Sequence, residues 1–106
     1  MINSKQKGKK GELEVANYLK KKGLTARRGQ QYKGSPESPD VICDEWPNIH
    51  IEVKRDERLN IEKAIQQSTS DSGDTDIPIV IHRKNREKWK VTMWLDDFIE
   101  MNDSKE

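Results

Sequence analysis

Asp40, Glu52 and Lys54 are the residues whose types and spacing best suit chemistry. Between Ile49 and Lys54 apolar and polar residues alternate, which is the period of a half-buried strand. Ile49, Ile51 and Val53 then point one way, and His50, Glu52 and Lys54 the other. Asp40 opens a preceding strand, directly after Pro39, which fixes the local backbone and offers no ladder donor. If the two strands are neighbours, Asp40, Glu52 and Lys54 meet at one edge. Two carboxylates and an ammonium group suit a hard divalent cation and a water molecule to be deprotonated. A solvated strand face of alternating charge would carry the same letters, so the weight falls on what surrounds them.

The elements that must position these groups follow from periodicity and breakers. Residues 8–22 read as a helix with Leu13, Ala16 and Leu19 on one face. Glu12 falls in the middle of that inward face, where a carboxylate is costly unless satisfied. Glu14 falls on the outer face with the lysines, and Gly23 is a natural stop. Leu24 to Arg28 reads as a first strand and 29–38 as a loop by its Gly, Ser and Pro content. Strands follow at 39–43 and 49–55. A second helix runs from Asn60, as N-cap, to Ser72, with Ile61, Ala64, Ile65 and Ser68 inward. Gln67 sits at the edge of that face, and Gln66 points further out. Ile77 to His82 is a buried strand with Ile77, Ile79 and Ile81 on one face. Trp89 to Met93 is a last strand, and a short amphipathic helix spans Leu95 to Met101. The order is helix, three strands, helix, two strands, helix, which argues an α/β layer with a mixed central sheet.

Length and composition bound the rest. The chain has 106 residues, 31% hydrophobic and 37% charged, with a mean hydropathy of −1.08. One domain over 1–106 is expected, with flexible ends at 1–6 and 102–106. So few apolar residues make a thin core, which a homodimer would relieve. No apolar run is long enough to span a membrane, and the single Cys43 fits a reducing cytoplasm. No Cys or Cys/His cluster suggests zinc. The net charge of +1 hides an asymmetry: residues 1–34 hold ten Lys or Arg against two Glu, and residues 35–78 four basic against eleven acidic side chains. A basic third beside an acidic middle suits a polyanion-binding surface flanking a cation site; a solubilising surface with no partner would show the same asymmetry.

Gly8-x-x-x-Glu12, Pro39-Asp40, Glu52-Val53-Lys54 and Gln67 fall on separate elements in a fixed order. In this the chain resembles the PD-(D/E)XK nuclease superfamily. Within it, Arg27 to Gln31, His50 to Arg55 and His82 to Arg86 are similar to stretches of Holliday junction resolvase-like endonucleases of phages and prophages. The resemblance covers roughly residues 5 to 99. It implies a restriction-endonuclease-like αβββαβ core and Mg²⁺-dependent cutting of DNA, with Mn²⁺ able to substitute. The implied substrate is branched DNA such as a four-way junction, cut by a homodimer in the cytoplasm, that of the host cell if the chain is phage-encoded. No small-molecule cofactor is implied. Asp40, Glu52 and the Val53 carbonyl would hold the metal, with Glu12 direct or through water. Lys54 would orient or activate the attacking water, and Gln67 would position Lys54 or the phosphate. Arg27, Arg28, Gln30, Lys33, Arg55, Arg83, Lys84 and Arg86 are the DNA-contact candidates. His50, on the same face as Glu52, is either a structural hydrogen-bonding group or a base or phosphate contact. Two alternatives stay open: a nicking or restriction-like enzyme on duplex or flap DNA, and a DNA-binding module with a vestigial metal site.

Overall fold

The computed structural model describes residues 4–29 and 38–103. Helix α1 spans Ser4–Lys21, strands β1, β2 and β3 span Ala26–Arg28, Val41–Cys43 and Ile49–Arg55, and helix α2 spans Ile61–Ser72. Strands β4 and β5 (Ile77–Arg83, Lys90–Thr92) and helix α3 (Leu95–Asp103) complete the chain. The expected element order is the observed one. The strands form a single sheet in the order β1-β2-β3-β4-β5. β3 and β4 run parallel and the other pairs antiparallel, so the sheet is mixed. The parallel pair requires a crossover, and α2 supplies it.

Strand alternation assigns each side chain to a layer. Ile51, Val53, Ile79 and Ile81 join Val15, Ala16 and Leu19 of α1 in one buried cluster. Val80 joins Ala64 and Ile65 of α2 in a second, on the opposite face of the sheet. The second layer is pinned where the buried Ser68 hydroxyl donates to the Ile79 carbonyl at 3.0 Å. Asn60 caps α2, its side chain accepting from the Lys63 N–H at 3.1 Å, which satisfies one orphan donor of the first turn. α1 ends at Gly23, whose φ of 93° is the left-handed value that closes a helix without a Cβ penalty.

Two side chains of α1 sit otherwise than their spacing suggested. Leu13 is 46% exposed, and Val15 takes the inward place beside Ala16 and Leu19. The inward stripe is therefore centred between Val15 and Ala16, and Leu13 lies most of a quarter-turn beyond its edge. Glu14 is not among the solvated lysines: the guanidinium groups of Arg55 and Arg83, at the ends of β3 and β4, reach it at 3.3 and 3.0 Å.

Candidate active site

The site is built across β2 and β3. Their register pairs Val41 with Ile51, and the Asp40 N–H donates to the Ile51 carbonyl at 2.8 Å. One step outward, Asp40 stands opposite Glu52. Directly opposed residues of an antiparallel pair project to the same face, so both carboxylates leave the sheet on the side away from Val41 and Ile51. Both are buried, at 6% and 4% exposure.

Asp40 is fixed by the strand next to it. Its Oδ2 accepts the Val53 N–H at 2.9 Å. The N–H and C=O of one strand residue point to the same side, so the Val53 carbonyl also opens toward Asp40. Gly29 lies against this corner: its N–H donates to the Asp40 carbonyl at 2.8 Å, and a Cβ built on it would run into the Pro39 carbonyl. Only glycine permits that approach.

The electrostatics show which groups converge. The Asp40 carboxyl is pushed up to about 7, first by burial and next by the neighbouring Glu52 carboxylate; Glu12 adds to the rise, while the Val53 N–H and the Lys54 ammonium oppose it. Glu12, Glu52 and Lys54 thus all act on Asp40 although they come from separate elements. Glu12 itself is paired with Arg28 of β1, Nε to Oε1 at 3.0 Å. Glu52 is paired with His50, two residues earlier on the same face, Nε2 to Oε1 at 3.0 Å, with both side chains at least 95% buried. A ligand atom each from His50, Glu52 and Asp71 of α2 lie within 4.8 Å of one another.

The donor set fits a hard divalent cation. Asp40, Glu52 and the Val53 carbonyl offer oxygens only, as such ions prefer. A carboxyl held near neutral pH by burial and a second carboxylate is a group whose charge a bound cation would stabilise.

The remaining sequence-expected residues divide. Gln67 is exposed on α2, and no hydrogen bond joins it to Asp40, Glu52 or Lys54. Arg27 pairs with Asp44 at 2.9 Å, and Arg28, Arg55 and Arg83 with glutamates as described. Arg55 also donates to Asn85 at 3.0 Å, and Arg83 lies 5.0 Å from the Trp89 ring centre. Lys84 and Arg86 are exposed. Gln30 and Lys33 lie outside the described residues. Asp71 did not stand out in the sequence. Its signal was there: it follows Ala64 by two helical turns, on the buried face of α2.

Two comparisons bear on this architecture. Residues 3–106 match a family described as "Phage putative PDDEXK endonuclease". The solved structure of Hjc, a Holliday junction resolvase from the archaeal hyperthermophile Archaeoglobus fulgidus, is similar with a TM-score of 0.60. That alignment covers 81% of this chain and 76% of the other at 23% identity, which shows a shared fold. No curated protein matches the chain in sequence.

Proposed function

The chain belongs to the phage PDDEXK endonuclease family, and on that premise we propose that it is a Mg²⁺-dependent DNA endonuclease acting as a homodimer on branched DNA. Residues 1–106 form its single nuclease domain, and Mn²⁺ substitutes for Mg²⁺. Its place of action is the cytoplasm, and no helix among the described residues is long and apolar enough to cross a membrane.

One observation carries the reading: the buried Asp40 carboxyl, displaced to about 7 by its own burial and by Glu52, with Lys54 acting on the same group. A core seldom retains two opposed buried carboxylates without a use for them. Asp40, Glu52 and the Val53 carbonyl hold the cation, with Glu12 reaching it directly or through water. When bound, the cation supplies an acidified water and offsets charge on the phosphate. Lys54 orients the attacking water and stabilises the developing oxyanion. His50 keeps the Glu52 carboxylate in place through the 3.0 Å contact. Gln67, exposed on α2, positions Lys54 or the phosphate of a bound strand. Lys84, Arg86, Gln30 and Lys33 contact backbone phosphates, with Arg27, Arg28, Arg55 and Arg83 as reserves already committed to acidic partners.

The test is incubation of a labelled four-way junction and a matched linear duplex with Mg²⁺, comparing wild type with Asp40→Asn and Lys54→Ala. Cutting of the junction by wild type alone supports the reading. Equal cutting of the linear duplex assigns a nicking or restriction-like enzyme instead. No metal-dependent cutting of any DNA overturns it.

A further inference from the structure

His50 is only 3% exposed, and its neighbours across the sheet are apolar. Pro78 stands beside it on β4. On β2, one residue beyond the Val41–Ile51 pair, Ile42 faces it. Both share its face of the sheet. Two acids approach the ring from other directions. Glu52 lies two residues along the strand, with Nε2 to Oε1 at 3.0 Å. Asp71 descends from α2, so that one ligand atom from each of the three side chains lies within 4.8 Å of the others.

Asp71 is costly to its own helix. It sits in the last turn of α2, where no basic side chain offsets the negative end of the helix dipole. It is half-buried, which takes part of the carboxylate's hydration. Helical spacing puts it on the same face as Ala64 and Ser68, the face that packs on the sheet. A side chain that opposes its helix dipole and gives up solvent needs a favourable contact below it, and the His50 ring is within reach.

We propose that Asp71 is a positioning residue: it holds the His50 ring against Glu52 and, through that ring, keeps the Glu52 carboxylate aimed at the cation. The inference rests on the proposed function, in which Glu52 is a cation ligand. An imidazole set between Pro78 and Ile42 gains nothing from either side that would choose between its two ring orientations. An acid at one side breaks that balance and selects the orientation that leaves Nε2 on Glu52. Groups one step behind a ligating carboxylate or imidazole control affinity by fixing its direction.

Calorimetric Mn²⁺ titration of the full chain at one pH tests it, on wild type, Asp71→Asn, His50→Ala and the double variant. Asp71→Asn, nearly isosteric, is expected to weaken Mn²⁺ binding about tenfold. In the His50→Ala background the same change is expected to cost nothing further, because its effect passes through the ring. Asp71→Ser, which removes the acid with less bulk, should repeat both results. A spectroscopic reading needs no metal. The chain has two histidines, so the imidazole ¹⁵N signals are few. Those of His50 should move toward a mixture of ring forms in Asp71→Asn, while those of His82, bonded to Thr92 at 2.8 Å, stay in place. Equal losses with and without His50 would make Asp71 a direct ligand or a distant charge and overturn the inference. Unmoved His50 signals would overturn it too. If wild type binds Mn²⁺ and the Asp71 variants bind it as tightly, this inference alone fails. If wild type binds no Mn²⁺, the proposed function fails and takes it along.

Discussion

The Asp40 carboxylate accepts the Val53 backbone N–H at 2.9 Å, across the end of the β2–β3 ladder. A donor normally used to extend a sheet is here used to aim an acid. The ladder stops at this point, the Val53 carbonyl is left facing the same gap, and the carboxylate of Glu52 stands beside it.

The elevated Asp40 titration sets the first prediction. With its carboxyl raised from 3.8 to about 7, the folded state holds a proton that the unfolded state has released between those values. Metal-free stability therefore falls as pH rises from about 4 to 7. Asp40→Asn keeps an acceptor for Val53 and removes the charge. Urea titration at pH 8 without metal should find it more stable than wild type by up to about 4 kcal/mol, the difference vanishing below pH 4. Equal stability at pH 8 would mean that Asp40 is not strained by its neighbours.

Cation binding should show the same group from the other side. Asp40 must lose its proton to act as a ligand. Calorimetric Mn²⁺ affinity should rise about tenfold per pH unit up to pH 7 and level off above it. A profile flat from pH 5.5 to 8 would remove Asp40 from the ligand set.

His50→Ala takes the donor from a buried Glu52 oxygen. The loss should be about 1–3 kcal/mol of stability, together with weaker Mn²⁺ binding. His50→Gln, which keeps a donor near that position, should recover most of the affinity. If both variants bind Mn²⁺ as wild type does, His50 only fills space.

Gly29→Ala should cost about 2–3 kcal/mol, because the added methyl meets the Pro39 carbonyl and the backbone must move. The displacement falls on Asp40, so Mn²⁺ affinity should drop along with the melting temperature. Glycines at unconstrained positions, such as Gly8, which has open space around it, supply the control.

Glu14→Gln releases two arginines at once. It should destabilise the chain by about 1–3 kcal/mol, since Arg55 and Arg83 are each only about one-fifth exposed or less. It should also tighten DNA binding and steepen its salt dependence, by freeing cations for phosphate. Fluorescence anisotropy at several salt concentrations would show this, and an unchanged slope would place both arginines away from the DNA path.

The order of elements was readable in the sequence because each rule behind it is local. Alternation over Ile49–Lys54 gave the two faces of β3, and the Asn60 cap gave the start of α2. Glu12 was placed on the inward side of α1 by helical spacing alone. Leu13 was misplaced by the same arithmetic: a stripe of three small or aliphatic residues fits two neighbouring centres, and only the packing of Val15 against the sheet chooses between them.

What the sequence determined by itself was the chemistry on offer: the acidic set, the amine two residues beyond Glu52, and the strands and helices that carry them. What the tertiary structure decided was which groups meet. The β2–β3 register put Asp40 opposite Glu52, the reach of α2 brought Asp71 to His50, and the ends of β3 and β4 delivered Arg55 and Arg83 to Glu14. Local periodicity fixes the direction of a side chain from its own backbone. Its partner comes from a segment dozens of residues away, and that choice is made by register and layer packing.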